Sequence, residues 1–356
     1  MKINFLLPHT RLSGGVKALL EYANRLHKGD HDIRVFVPGK KLKWYHLSSR
    51  WNARNRGLQT LPSKTVDWMD NALSIELLPE SGGHYLPDSD ILVASAWQNA
   101  EFASRLPPQK GTLFYFVLHY ESLWTRHKNL AKKTYDLSCQ ILTCSTWLKN
   151  ILLEKHDQTA EVLIIPVDRE VFFCNKKKWN VIRRVAMLHH DYDWKGFLEG
   201  IEAIKQVKAQ GYKVELVVFG EKLENPKPLF KKVGFNFEYH YRPTRKILQE
   251  IYVSCDIYLC PSWYEGLGLP SMEAMACRCA LVTANTGGCL DYAVHGETAL
   301  VSPSRDTKSL SDNIIRLLND EGLMKLISQK GYEKISKINW QESCDQLISL
   351  FKKGQS

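Results

Sequence analysis

The sequence predicts an α/β protein of two doubly wound domains, and three observations support this. Short apolar runs with little alternation recur along the whole chain and are separated by helical segments, the pattern of parallel strands covered on both faces by helices. The chain has 356 residues, enough for about two separate cores. A basic stretch without helix caps, Phe172-Phe173-Cys174-Asn175-Lys176-Lys177-Lys178, breaks the alternation within residues 168–180 and reads as the link between the halves. In the first half the expected strands are 3–8, 33–38, 90–95, 112–119, 140–145 and 162–166. In the second they are 185–190, 214–220, 238–242, 255–261, 280–283 and 299–302, followed by a last helix over 340–353. The expected domains are 1–168 and 169–338, with 339–356 as a terminal helical piece.

The opening run Ile3-Asn4-Phe5-Leu6-Leu7-Pro8 is too short for a signal peptide and ends in proline, so it reads as the first strand. No apolar run reaches 18 residues, so no transmembrane span is expected. A composition 44% hydrophobic and 11% aromatic belongs to a globular chain and excludes intrinsic disorder. Nine cysteines lie in mostly apolar contexts without C-x-x-C spacing, which argues against a disulfide framework or zinc and for a reducing cytoplasm.

The net charge of +10 divides almost evenly between the halves, with one local concentration. Between Asp32 and Asp67 no acid occurs, while Arg34, Lys40, Lys41, Lys43, Arg50, Arg54, Arg56 and Lys64 are interleaved with Trp44, Tyr45 and Trp51. This run reads either as a solvated loop or as a surface for an anionic acceptor or acidic lipid headgroups. No nucleic-acid motif accompanies it, so no nucleic-acid partner is expected. The expected location is cytoplasmic, with peripheral attachment at the inner face of the plasma membrane through Arg34 to Lys64.

Residues 260–276, CPSWYEGLGLPSMEAMA, concentrate the chemistry. Glu265 and Glu273 stand eight residues apart around Gly266-Leu267-Gly268-Leu269-Pro270, after a buried strand and at the start of a helix. Pro270 is expected at the first helical position and Glu273 in the first turn. Glycines let the backbone approach a ligand, and a helix N-terminus offers N–H groups and partial positive charge to a phosphate. Glu273 suits a ribose diol, and Glu265 points to whatever the phosphate carries. Together they form a grip on a sugar nucleotide: ribose, phosphate, sugar.

The segment resembles the E-x7-E signature of glycosyltransferase family 4, retaining enzymes with two Rossmann-like domains in the GT-B arrangement. The resemblance runs from Met1 to the last helix and is strongest over residues 256–303. It implies a nucleoside-diphosphate-sugar donor held mainly by the second domain, a glycan or lipid-linked acceptor, no metal or other cofactor, and a C-terminal helix crossing back to the N-terminal domain. It implies roles for residues outside the signature as well. Gly14 and Gly15 in Ser13-Gly14-Gly15-Val16 resemble a Gly-rich turn facing the donor. His119 matches a strand-end histidine near the donor sugar, and Lys195 in Asp193-Trp194-Lys195-Gly196 a lysine that neutralises the diphosphate. Gly287 and Gly288 match a G-G turn lining the site. The implied catalytic set is Glu265, His119 and Lys195, and the donor set is Gly14, Gly15, Lys195, Glu265, Gly266, Leu267, Gly268, Leu269, Glu273 and Gly287.

The chain departs from the family where an arginine commonly precedes that lysine by six residues, since position 189 is His. An imidazole holds a diphosphate less well than a guanidinium, so the phosphate clamp is expected to be weaker, pH-dependent or completed by another cation. The Ile165-Pro166-Val167-Asp168 linker also reduces the family's N-G-V-D consensus. Two D-x-D triplets, Asp88-Ser89-Asp90 and Asp191-Tyr192-Asp193, are discounted as metal sites, the first as a polar strand entry and the second as a neighbour of Lys195. The alternatives are a non-catalytic partner subunit of the same fold and a sugar-nucleotide epimerase or phosphorylase.

Overall fold

The computed structural model describes residues 1–11, 13–38, 73–78, 82–221 and 223–355. The chain divides into two compact units, Met1–Leu163 together with Gln341–Ser356, and Ile164–Trp340. Each is a parallel sheet wound by helices, so the two-domain α/β expectation holds.

The first unit carries β1 (Lys2–Leu6), β2 (Asp32–Pro38), β3 (Ile75–Leu78), β4 (Ile91–Ala94), β5 (Thr112–Val117), β6 (Gln140–Thr143) and β7 (Glu161–Val162). They pair in the order β3-β2-β1-β4-β5-β6-β7, every pair parallel. Ile3, Phe5, Val35, Val93, Phe114 and Phe116 are buried, which is why these strands read as unbroken apolar runs. Helix α1 (Gly14–Lys28) follows β1, α2 (Trp97–Ala103) follows β4, α3 (Lys128–Tyr135) follows β5, and α4 (Thr146–His156) follows β6.

Strand β3 was not expected from the sequence. It is a four-residue edge strand whose Leu77 is 40% exposed, and Glu76 interrupts its apolar run. Arg34 on β2 donates to both carboxylate oxygens of Glu76, at 2.8 and 2.6 Å, and lies over the Phe36 ring. Arg34 therefore ties the edge strand β3 to β2. The rest of the basic run, Lys40 to Lys64 with Trp44, Tyr45 and Trp51, lies outside the described residues.

The second unit carries β8 (Arg183–His189), β9 (Val214–Gly220), β10 (Glu238–Tyr241), β11 (Ile257–Cys260), β12 (Ala280–Ala284) and β13 (Leu300–Ser302), in the order β10-β9-β8-β11-β12-β13. Val185, Met187, Ile204, Val218, Leu259, Val282 and Ile314 form one buried cluster between sheet and helices. The helices are α5 (Phe197–Ala209), α6 (Lys227–Val233), α7 (Arg245–Ser254), α8 (Leu269–Ala276), α9 (Thr307–Asn319) and α10 (Glu321–Ser336). In both units the strand order reverses direction beside the first strand, between β1 and β4 and between β8 and β11. In open α/β sheets ligands bind at such a reversal, beyond the carboxyl ends of the strands.

The last helix, α11 (Trp340–Gln355), packs from Gln341 onward with the first unit. Phe351 is fully buried against Phe114, with ring centroids 4.8 Å apart, and the hydroxyls of Ser343 and Tyr22 meet at 2.6 Å. Gln346 Nε2 donates to the Val162 carbonyl. Burying a phenylalanine of this kind contributes about 1.5–3 kcal/mol. Among the described residues no helix is long and apolar enough to cross a membrane.

Candidate active site

Three loops of the second unit meet at the β8–β11 reversal. The loop after β8 ends in a short 3₁₀ turn, Asp193–Lys195, and Gly196 at φ 66°. A Cβ at Gly196 would lie 2.1 Å from the Pro261 carbonyl oxygen, so only glycine lets this loop press onto the one after β11. The two are then joined: Trp263 N donates to the Trp194 carbonyl at 2.8 Å, and Ser262 Oγ to the Lys195 carbonyl at 3.3 Å. The loop after β12 supports them from the other side. Glu265 N donates to the Thr286 carbonyl at 2.9 Å, and Gly288 N donates to the Glu265 carbonyl at 3.3 Å. Gly287 forms an isolated parallel bridge with Glu265.

These constraints place the Lys195 ammonium against both carboxylate oxygens of Glu265, at 2.8 and 2.9 Å. The two side chains are only 16% and 12% exposed. The ammonium also lies 4.4 Å above the Trp194 ring. Two residues separated by 70 positions thus form one ion pair at the mouth of the sheet. Sequence reasoning singled out both but did not pair them, because a contact of that separation depends on the strand order.

After Glu265 the chain runs through buried Gly266 and Leu267 to Gly268, at φ 91°, where it turns into α8. Tyr292 Oη donates to the Gly268 carbonyl at 3.2 Å. The helix begins at Leu269, so Pro270 is its second residue and Glu273 its fifth. The expectation of Pro270 first and Glu273 in the first turn is corrected by one residue, because the left-handed turn at Gly268 already brings Leu269 into helical geometry. Glu273 is buried, 6% exposed, and Tyr252 Oη donates to its Oε2 at 3.5 Å.

His189 ends β8 and is buried. Its Nδ1 lies 2.9 Å from Tyr239 Oη and its ring packs edge-on to Phe197. Burial lowers its pKa, so at neutral pH it is an uncharged imidazole engaged with a tyrosine. Of the discounted triplets, Asp88 pairs with Lys110 at 2.9 Å and Asp90 accepts from the Lys2 backbone at 2.7 Å, so the first sits at the entry to the central strands β1 and β4.

In the first unit, Ser13 caps α1, its Oγ accepting from Val16 N at 3.3 Å. A Cβ on Gly15 would approach Leu118 Cδ1 to 3.1 Å, so the first turn of α1, which contains Gly14 and Gly15, packs against Leu118 just past β5. Trp124 Nε1 donates to His119 Nδ1 at 3.2 Å, which puts the imidazole proton on Nε2. Sequence reasoning gave no role to Glu121, two residues beyond His119. Its Oε2 accepts from Trp97 N at 2.7 Å, and burial raises its carboxyl to about 7. Glu121 thereby caps α2, whose preceding residue Ala96 is held at φ 72°. An acid just past the end of a buried strand was the available signal.

Two parallel-sheet units, the second with a charged pair at its strand-order reversal, define a Rossmann-like α/β protein. Residues 175–334 match the family described as Glycosyl transferases group 1. The capsular polysaccharide biosynthesis glycosyltransferase CapM of Staphylococcus aureus is 29% identical over 158 residues, 42% of this chain and 41% of that protein. A Campylobacter jejuni N,N'-diacetylbacillosaminyl-diphospho-undecaprenol α-1,3-N-acetylgalactosaminyltransferase is 30% identical over 158 residues, 44% of this chain and 40% of that one. The chain therefore spans about two fifths of the length of these curated relatives. Among solved structures, HepE of Anabaena in complex with UDP and glucose superposes with a TM-score of 0.76 at 14% identity, over 99% of both chains. Sucrose-phosphate synthase of Thermosynechococcus elongatus gives 0.76 at 14%, over 99% of this chain and 98% of that one. The fold is that of the GT-B glycosyltransferases.

Proposed function

We propose that the protein is a retaining glycosyltransferase that moves a sugar from a nucleoside-diphosphate sugar to a hydroxyl of a glycan or lipid-linked acceptor. The observation that carries this reading is the Lys195–Glu265 pair, held at the β8–β11 reversal by three glycine-dependent loops. The family match over the second unit and the names of the relatives support the same class.

In this reading Glu273 takes the ribose hydroxyls, the N-terminal turn of α8 and Lys195 take the diphosphate, and Glu265 takes the sugar. Binding of the diphosphate draws the Lys195 ammonium toward phosphate and turns the Glu265 carboxylate toward sugar hydroxyls. Each charge-assisted bond is worth about 1.5–3 kcal/mol. Displacement occurs on the front face. The bond from C1 to the leaving phosphate oxygen breaks as the bond from C1 to the acceptor oxygen forms, and the acceptor's proton passes to that phosphate oxygen. Lys195 and backbone N–H groups near Gly268 stabilise the leaving charge, and Glu265 steadies the oxocarbenium-like sugar. Lys195 supplies the cation at the diphosphate, so the reaction is proposed to proceed without a metal. A lipid-linked acceptor would bring the protein to an anionic inner membrane face.

The test is release of nucleoside diphosphate from UDP-, GDP- and ADP-hexoses with and without a polyprenyl-linked glycan acceptor. Release from one donor, reduced at least about a hundredfold by Lys195→Ala, is expected for loss of one charge stabiliser in the transition state. Isomerised donor without release would indicate an epimerase, and phosphate-dependent formation of sugar 1-phosphate a phosphorylase. No consumption of any donor would favour the non-catalytic subunit, the reading that His189 in place of an arginine supports.

A further inference from the structure

The loop after β12 holds the segment from Glu265 to Gly268 at both ends. At one end it takes the Glu265 backbone on both sides, accepting from its N–H at Thr286 and donating to its carbonyl from Gly288 N. At the other end Tyr292 Oη donates to the Gly268 carbonyl at 3.2 Å. Tyr292 is itself pinned. Its N–H donates to the Cys289 carbonyl at 3.1 Å, and its carbonyl accepts from Thr298 Oγ1 at 2.7 Å. Between these anchors the N–H groups of Gly266, Leu267 and Gly268 donate to no acceptor among the described residues.

Packing does not explain the Tyr292 hydroxyl. The side chain is fully buried, and a phenylalanine would fill the same space without a polar group to satisfy. Nor does the Gly268 carbonyl lack donors, since it accepts from Ser271 N at 3.0 Å and from Met272 N at 3.4 Å. Residue 268 is nonetheless fitted to the hydroxyl, because a Cβ there would lie 2.7 Å from Tyr292 Oη. Burial raises the phenol well above its ordinary pKa, so the hydroxyl stays protonated and remains a donor.

We infer that Tyr292 is a positioning residue for the diphosphate, its hydroxyl fixing and polarising the Gly268–Leu269 peptide so that the Leu269 N–H meets phosphate. This rests on the transferase reading, in which the N-terminal turn of α8 takes the diphosphate. The peptide unit is planar and trans, so holding the Gly268 oxygen also sets the direction of the Leu269 N–H, opposite to it. A donor on the carbonyl oxygen draws electron density through the peptide, and hydrogen bonds linked in this way strengthen one another. Tyr292, being fully buried, acts through the backbone and not on the ligand itself.

Calorimetric titration of wild type and Tyr292→Phe with inorganic pyrophosphate, UDP, GDP and ADP tests this on the whole chain, with the Leu269 amide followed by NMR. Removing the hydroxyl takes away one neutral hydrogen bond and keeps the ring. The Kd for pyrophosphate, and for whichever nucleoside diphosphate binds, should therefore rise about fivefold. The Leu269 amide proton should move downfield when pyrophosphate is added to the wild type, and less in Tyr292→Phe. Equal Kd values in the two proteins overturn the role of Tyr292 and leave the transferase reading standing. Weaker binding with an equal movement of the Leu269 amide also overturns it, since the hydroxyl would then act through packing alone. A wild type that does not bind pyrophosphate overturns it as well. Pyrophosphate binding that Tyr292→Phe weakens, in a protein that binds no nucleotide, would sustain the role of Tyr292 and remove the transferase reading.

Discussion

Replacing Lys195 by methionine keeps the stem length and removes the charge, leaving Glu265 facing the site alone. Opposite unit charges about 3–4 Å apart at an effective dielectric of about 20 attract by roughly 4–5 kcal/mol. Desolvation of both groups offsets much of this. Fully exposed pairs are worth about 0–1 kcal/mol, whereas breaking a buried pair costs about 3–5 kcal/mol. With side chains 16% and 12% exposed and bonds of 2.8 and 2.9 Å to both oxygens, this pair lies nearer the buried limit. The expected coupling is about 2 kcal/mol in a double-mutant cycle of Lys195→Met, Glu265→Gln and the double variant. The assay is urea unfolding, first of the protein alone and then with saturating nucleoside diphosphate. The coupling should fall by at least half with the nucleotide, because the ammonium is then shared with phosphate. Coupling below about 0.5 kcal/mol would refute the electrostatic reading of the site. Full coupling that persists with bound nucleotide would refute Lys195 as the diphosphate's cation.

Two further outcomes follow from the geometry. Burial sets the Glu121 carboxyl at about 7 against a reference of 4.5, although the Trp97 N–H pulls it back down. The folded chain therefore holds the extra proton between those values, and the stability this adds is complete below 4.5 and lost as the pH rises through 7. Chemical unfolding at several pH values should show this downward slope in the wild type and a flatter one in Glu121→Gln; equal slopes would remove the carboxyl as its source. Gly268→Ala would force an L side chain to φ 91° with its Cβ 2.7 Å from Tyr292 Oη. A cost of about 2–4 kcal/mol in thermal unfolding is expected, and a loss under about 0.5 kcal/mol would mean the loop yields easily.

Much of this architecture was legible in the sequence because parallel strands buried on both faces leave unbroken apolar runs, and the runs around Ile3, Ile91, Val214 and Ile257 all became strands. The strand–loop–helix over residues 257–276 was legible because glycines and a proline punctuate it. Other features depended on tertiary context. Strand β3 has an exposed face and an acid that only Arg34 explains. The environment of His189 is set by Tyr239 and Phe197, each contributed by a different element. The stack of Trp194 on Tyr264 joins the loop after β8 to the loop after β11, which meet only because β8 and β11 are neighbours. Trp124 reaches back to His119 across a 3₁₀ turn that periodicity does not reveal.

The most direct measurement of the central claim is a thermal-shift titration against UDP, GDP, ADP, dTDP and CDP, with Glu265→Ala and Glu273→Ala alongside. Ligand binding to the folded state raises its stability by mass action, about 2.7 kcal/mol at a hundred times Kd. One or two nucleotides should raise Tm in the wild type, scarcely at all in Glu273→Ala, and nearly normally in Glu265→Ala, whose loss should fall on turnover. If no nucleotide shifts the wild type, the residue 260–276 segment has no donor to hold. If Glu273→Ala binds as well as wild type, the ribose assignment is wrong.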